Sequence, residues 1–251
     1  MEIPDGDAGV KRIGFETRGT IRQAGPVYDL RLPVVVRAGS SRTEHIVACQ
    51  ADASDFSVFT EDKPTHVAVD PDVHVFRRLS PDEVPPTVNS LRGSAGLTVV
   101  AADALSPQTL KAAALLPRTF GQDDAPVLTE SEASPESLAG RDVLFLGVPA
   151  RPELAALLAG ALSAAQARPD GFAAAGRDYA QPGDALFLIG RRPDDPSRVA
   201  GLYLPLSAQA AEASLRKIQH YGRYGLLTFR QGAIDLKQTI EVPSALEADL
   251  P

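Results

Sequence analysis

Apolar and polar positions alternate along the first part of the chain. Arg12-Ile13-Gly14-Phe15-Glu16-Thr17 alternates, and so does Tyr28-Asp29-Leu30-Arg31-Leu32 before it runs into Pro33-Val34-Val35-Val36. Glu44-His45-Ile46-Val47-Ala48-Cys49, Phe56-Ser57-Val58-Phe59 and His66-Val67-Ala68-Val69 follow at short spacing. A period of two predicts strands, with Ala38-Gly39-Ser40-Ser41 as a turn between two of them. Several short strands with no helical pattern among them predict a β-sandwich over residues 1–75. Residues 76–96 contain Ser80-Pro81-Asp82-Glu83-Val84-Pro85-Pro86, which predicts a proline-rich linker. Within it, Ser80 as N-cap and Pro81 at the first helical position suit one short helical turn.

After Leu97 the pattern changes. Leu97-Thr98-Val99-Val100-Ala101 is a run suited to a buried strand, and Ser106-Pro107 opens a helix running through Leu116. Val143-Leu144-Phe145-Leu146-Gly147 repeats the strand, and Pro152-Glu153 opens a second helix expected to extend through Ala167. Strand, helix, strand implies right-handed crossovers and a parallel sheet covered on both faces, with Pro126-Val127-Leu128 as a further strand. Ala185–Ile189 and Val199–Leu204 flank a polar loop and read as an antiparallel hairpin, which makes the sheet mixed. Ser207 caps a last helix to about His220, and Tyr224–Phe229 is a last strand, turned at Gln231-Gly232-Ala233. The expected fold is therefore α+β: a β-sandwich, then a mixed, mostly parallel α/β sheet domain over residues 97–242, then a frayed tail over 243–251.

Composition narrows the function classes. A net charge of −7 argues against a nucleic-acid partner, because such binding depends on Lys and Arg neutralising phosphates. Cys49 is the single cysteine, so no intramolecular disulfide can form, and its apolar neighbours suit a buried thiol. The N-terminus lacks the basic and apolar regions of a secretory signal, which places the chain as given in the cytoplasm. The most apolar stretch, Leu154–Ala167, falls short of the ~20 residues that span a bilayer, so no membrane anchor is expected.

No self-sufficient catalytic motif is present. The zinc-peptidase pattern His-Glu-x-x-His is absent, and none of His45, His66, His74 and His220 has a second histidine one helical turn away. The glycine-rich nucleotide loops and the nucleophile elbow are also missing, so no cofactor is expected. The candidates left are positional. Ligands of open α/β sheets sit at the carboxyl ends of the parallel strands, which here would present Asp103 and the Gly147-Val148-Pro149 loop. Helix capping and tight turning are the plainer roles for those two residues. Arg191 and Arg192 could clamp an anion or simply sit in a solvated hairpin tip. His220, Tyr221 and Arg223 gather polar-tipped groups at a helix end, where Gly222 suits a left-handed cap.

Tyr28–Val36, His66-Val67-Ala68-Val69-Asp70-Pro71-Asp72 and Val75-Phe76-Arg77-Arg78-Leu79 together resemble the Ig-like β domain behind the catalytic domain of gluzincin aminopeptidases, the membrane alanyl aminopeptidase family. Glu83-Val84-Pro85-Pro86-Thr87-Val88-Asn89-Ser90 and Lys217–Tyr224 resemble the α/β segment that follows it in some bacterial members. The zinc ligands and catalytic glutamate of that family lie in an upstream domain, so the resemblance carries over no catalytic residue. It implies a non-catalytic accessory region that positions or shields a zinc-peptidase domain, or binds another protein. Two other expectations stand beside it: a small-ligand domain or unrecognised enzyme using Asp103, Gly147, Arg191 and the His220 cluster, and a structural or oligomerising domain marked by an exposed apolar patch.

Overall fold

The computed structural model describes residues 2–4, 11–80, 83–242 and 244–251. The chain divides into two compact units: Met1–Glu83 with Pro243–Pro251, and Val84–Val242. Pro81, where the short helical turn was expected to open, lies outside the described residues.

The first unit is made of antiparallel strands, as the period of two predicts. They are β1 (Glu2–Pro4), β2 (Lys11–Ile13), β3 (Phe15–Arg22), β4 (Leu30–Ala38), β5 (Ser41–Cys49), β6 (Ala53–Thr60) and β7 (Pro64–Val69). β4 pairs with β5 on one side and with β7 on the other, while β3 pairs with β6 in a separate sheet. Alternate residues of both sheets meet in one small core, with Ile21 from β3, Val34 and Val36 from β4, Val47 and Cys49 from β5, and Val58 from β6. Cys49 is buried there as a free thiol.

The C-terminal segment does not fray. Glu247–Asp249 forms a further strand paired antiparallel with β7, and the Leu246 carbonyl accepts the Val69 amide at 2.8 Å. The segment has too few apolar residues to announce a strand. Its order comes from an edge of β7 that needs a partner and from Glu83, whose carboxylate accepts the Ala245 amide at 2.9 Å.

The second unit follows strand and helix in turn: α1 (Val88–Arg92), β8 (Leu97–Ala101), α2 (Pro107–Ala112), α3 (Leu116–Thr119), β9 (Val127–Thr129), β10 (Asp142–Leu146), α4 (Pro152–Ala155), α5 (Ala159–Leu162), β11 (Ala165–Arg168), β12 (Gly171–Ala174), β13 (Arg177–Tyr179), β14 (Asp184–Arg191), β15 (Val199–Pro205), α6 (Ala208–Ile218), β16 (Leu226–Arg230) and β17 (Ala233–Gln238). Among the described residues its main sheet has the order β17-β16-β14-β15-β10-β8-β9. β9, β8, β10 and β15 run parallel, and β14, β16 and β17 extend the sheet antiparallel. Both faces are covered, and successive residues of one strand enter opposite cores. Leu144, Leu146, Phe187 and Tyr203 pack under α1, α2, α3 and α6. Val143, Phe145, Leu186, Leu188 and Leu202 pack under α4, α5 and the β11–β13 meander. Burying such side chains contributes about 1.5–3 kcal/mol each.

Two expected helices are shorter than their composition suggests. The first is interrupted after Ala112 and resumes at Leu116. The second ends at Leu162, and Ala165–Arg168 is a strand instead of its last turn. Alanine favours helix intrinsically, but Ala165, Phe172, Ala174 and Tyr179 bury their side chains only as a meander, and packing overrides propensity. The turn between β12 and β13 has positive φ at Ala175 (48°) and Gly176 (73°), as a tight hairpin requires. α5 also lies directly on β14. A Cβ on Gly160 would collide with the Arg191 carbonyl, and one on Gly190 with the Ala161 backbone. Gly160→Ala is expected to destabilise by about 2 kcal/mol or more, because overpacking against backbone outweighs the ~1 kcal/mol gain in helix propensity. Urea unfolding of the variant measures this, and an unchanged or raised midpoint would refute so close a crossing.

Candidate functional site

The carboxyl ends of β8, β9 and β10 bring together Asp103, Glu130 and the loop from Gly147 to Arg151. Glu130, which the sequence reading did not single out, is the centre of this arrangement. It is 2% exposed, directly after the short strand β9. One carboxylate oxygen accepts the Arg151 amide at 2.6 Å and the other the Asp103 amide at 3.4 Å. The Arg151 guanidinium donates to the carbonyls of Glu130 (3.0 Å) and Ala133 (2.7 Å) and to Glu153 (2.7 Å). Asp103 is exposed, and its carboxylate accepts the Ser131 amide at 3.4 Å. Gly147 has φ +81°, and Leu105 and Ala102 would stand 3.1–3.2 Å from any Cβ there. These polar groups tie three crossover loops to one another. A lone glutamate after a three-residue edge strand carries no signal of that role in the sequence.

The other candidates lie toward the opposite end of the sheet. β14 is antiparallel to β15, so Arg191 and Arg192 emerge at the end where β15 begins. Arg192 is neither in a solvated tip nor free for an anion. It is fully buried, donates to the carbonyls of Leu138 (2.6 Å) and Arg141 (2.7 Å), and forms a two-bond pair with Asp194 at 3.0 and 2.5 Å. The Asp194 carboxyl is held below its usual range by that guanidinium, against the opposing effect of burial. Arg191 reaches the Val84 carbonyl at 2.9 Å. Asp103 and Gly147 therefore stand at the opposite end of the sheet from Arg191 and Arg192.

The helix-end cluster is partly structural. Tyr221 packs edge-on to Phe229, with centroids 6.3 Å apart. Arg223 donates to the Tyr224 hydroxyl at 2.9 Å, which lowers the pKa of that phenol below its ordinary value. Arg223 and Lys237 also stand 5.1 and 5.6 Å from the Tyr224 ring centroid, in cation–π range. Gly222 is not a left-handed cap: its φ is −48°. A Cβ at this position would meet the Asn89 carboxamide at 2.5 Å, so any larger residue requires that side chain to move.

No family model matches the sequence, and no curated protein does.

One further network comes from a strand irregularity. The register of β16 with β17 shifts between Thr228 and Phe229, leaving Asp235 as the extra residue of a bulge. The bulge turns Asp235 onto Tyr179, whose hydroxyl donates to it at 2.6 Å and accepts from Thr228 at 3.1 Å. Burial, and then the neighbouring carboxylate, raise the Tyr179 pKa. Elsewhere His66 lies 3.0 Å from Asp249, and His74 lies 3.0 Å from Asp70. Among the described residues, no three His, Cys, Asp or Glu side chains are placed to share a metal ion. No helix there is long and apolar enough to cross a membrane.

Proposed function

We propose that this chain is a non-catalytic accessory region and that its β-sandwich unit docks a partner protein. A zinc-peptidase catalytic domain is the partner that the gluzincin resemblance names. The observation that carries the reading is the segment between Asp70 and Glu83. Phe76 is fully exposed at 104%, with Val73 at 69% and Leu79 at 46%. Two buried carboxylates hold the chain on either side of them. Asp70 accepts the amides of His74 and Val75, each at 2.9 Å. Glu83 accepts the Arg77 guanidinium at 2.9 and 2.6 Å and the Ser80 amide at 3.0 Å. A backbone tethered at Asp70 and Glu83 that presents a wholly solvated phenylalanine is suited to anchor in a partner's pocket, and the burial of such an anchor dominates many interfaces. At the strand ends of the other unit, the charged groups Glu130, Arg151 and Arg192 are engaged with the chain's own loops, which favours an accessory role over a reacting site.

The test is sedimentation and calorimetry of the purified chain with a gluzincin catalytic domain from the same source. A one-to-one complex is expected, weakened roughly tenfold or more by Phe76→Asp, while the variant's own stability stays within about 0.5 kcal/mol of wild type. Self-association that Phe76→Asp abolishes would instead make a second copy the occupant and refute the catalytic-domain partner. Zinc-dependent hydrolysis of aminoacyl substrates by the chain alone would overturn the non-catalytic reading.

A further inference from the structure

The pocket between α3 and the end of α6 holds charge that the fold does not use. It has a volume of about 400 Å³ and is lined by Leu115, Arg118, Thr119, Arg216 and Gln219. Sites for small molecules begin at about this size. Helical backbone angles continue past α6, with Gln219 at φ −58° and Gly222 at φ −48°. Arg216, Gln219, His220 and Arg223 therefore recur at helical spacing on one side of the segment, and all four are exposed. Arg118 reaches the same pocket from α3.

Arginine near a helix C-terminus ordinarily answers the last carbonyls. That explanation is weak here. α3 has only 4 residues, and in α6 the neighbouring Lys217 donates to the Gly232 carbonyl of the turn before β17 and not to the helix's own last carbonyls. Arg118 stands 3.8 Å from Asp123 with both side chains largely in water (74% and 67% exposed), a pairing of little strength. Arg216 has no ion-pair or side-chain hydrogen-bond partner among the described residues. The Gln219 carboxamide donates to the Arg216 carbonyl at 3.2 Å, so the guanidiniums are the strong donors left to the pocket. In a chain of net charge −7, two guanidiniums lining one small pocket are a local reversal of sign.

We propose that this pocket binds a small oxyanion, the carboxylate or phosphate group of a small organic ligand. Arg118 and Arg216 would hold the charge, and the half-exposed Leu115 would pack on the carbon part. A guanidinium suits either anion because its donors match the spacing of paired oxygens.

The experiment titrates inorganic phosphate and, separately, succinate into the isotope-labelled full chain at low ionic strength, following amide resonances. At least one anion is expected to give saturable shifts centred on Thr119, Arg216 and Gln219, with a midpoint at about millimolar concentration. Arg118→Gln and Arg216→Gln should each weaken this roughly tenfold, whereas Arg223→Gln, outside the pocket, should not. Both arginines are exposed, and a thermal melt checks that each variant is folded. A response to phosphate alone, or to succinate alone, identifies which oxyanion the site selects. The proposal is overturned if neither anion gives a saturable shift, if the two substitutions leave the shift unchanged, or if chloride at equal ionic strength reproduces it.

Discussion

Arg192→Ala is expected to lower the unfolding free energy of the α/β unit by about 3–5 kcal/mol, among the largest effects a single residue can have. The Arg192 side chain is 0% exposed and Asp194 is 48% exposed, so the pair is desolvated on the arginine side. Truncation would leave a cavity of arginine size and would strip the Leu138 and Arg141 carbonyls of the donors they now have at 2.6 and 2.7 Å. The Leu138 carbonyl would keep only the long bond from the Arg141 amide at 3.3 Å, and a buried acceptor left without a donor costs about 1–3 kcal/mol. A cavity in a packed interior adds to this. Arg192→Lys should recover little, since an ammonium cannot reach two carbonyls and a two-bond carboxylate together. Urea unfolding with unchanged slope gives the number directly. A loss below about 1 kcal/mol would show that the 138–141 loop holds the hairpin without this residue.

Glu83→Gln should destabilise the β-sandwich unit by about 3 kcal/mol near neutral pH and should also remove part of its sensitivity to acid. The carboxylate is 4% exposed and accepts Arg77, the Ser80 amide and hydroxyl, and the Ala245 amide. The Arg77 guanidinium first, then the two backbone amides, push its pKa far below the ordinary 4.5, against the opposing effect of burial. A folded pKa below the unfolded one means that the folded state releases the proton more readily. The stabilisation is therefore fully present above the unfolded value of 4.5 and is lost as pH falls below it toward the depressed folded value. Wild type should weaken on acidification below about pH 5, and the glutamine variant should weaken less. Because Glu83 also holds Ala245, the variant should be cut sooner by protease near Ser244. Parallel loss of stability in both proteins as pH falls would show that other carboxylates govern the acid response.

Much of the architecture was legible because local pattern and final environment agree. β4 and β5 send alternate residues, Val34 and Val36, Val47 and Cys49, into the sandwich core, and β8 and β10 are buried throughout because both of their faces are covered. Ser106 and Ser207 read as caps, and each accepts the amide three residues on, at 3.1 Å. The candidate sites were less legible. Arg192 and Arg191 are adjacent and chemically identical, yet one is wholly buried and the other is not, which depends on where the loop at Leu138 passes. Glu130 and Asp235 are not singled out by any motif or period. One is placed by a crossover loop and the other by a bulge, and neither device has a composition of its own.

The sequence by itself determined the two kinds of architecture, the principal strands and helices of each, the Ser106 and Ser207 caps and the lack of a recognisable catalytic motif, because each of these follows from periodicity or from the conformational limits of single residues. Tertiary structure alone decided three further features: that Ala165–Arg168 pairs as a strand, that Glu247–Asp249 closes the edge of β7, and that Arg118 and Arg216 line one pocket. The last two are contacts between segments far apart in the chain, and the first is a local hairpin whose side chains are buried only against the distant strands of the main sheet, so the energy of each appears only when the partner surface is already in place.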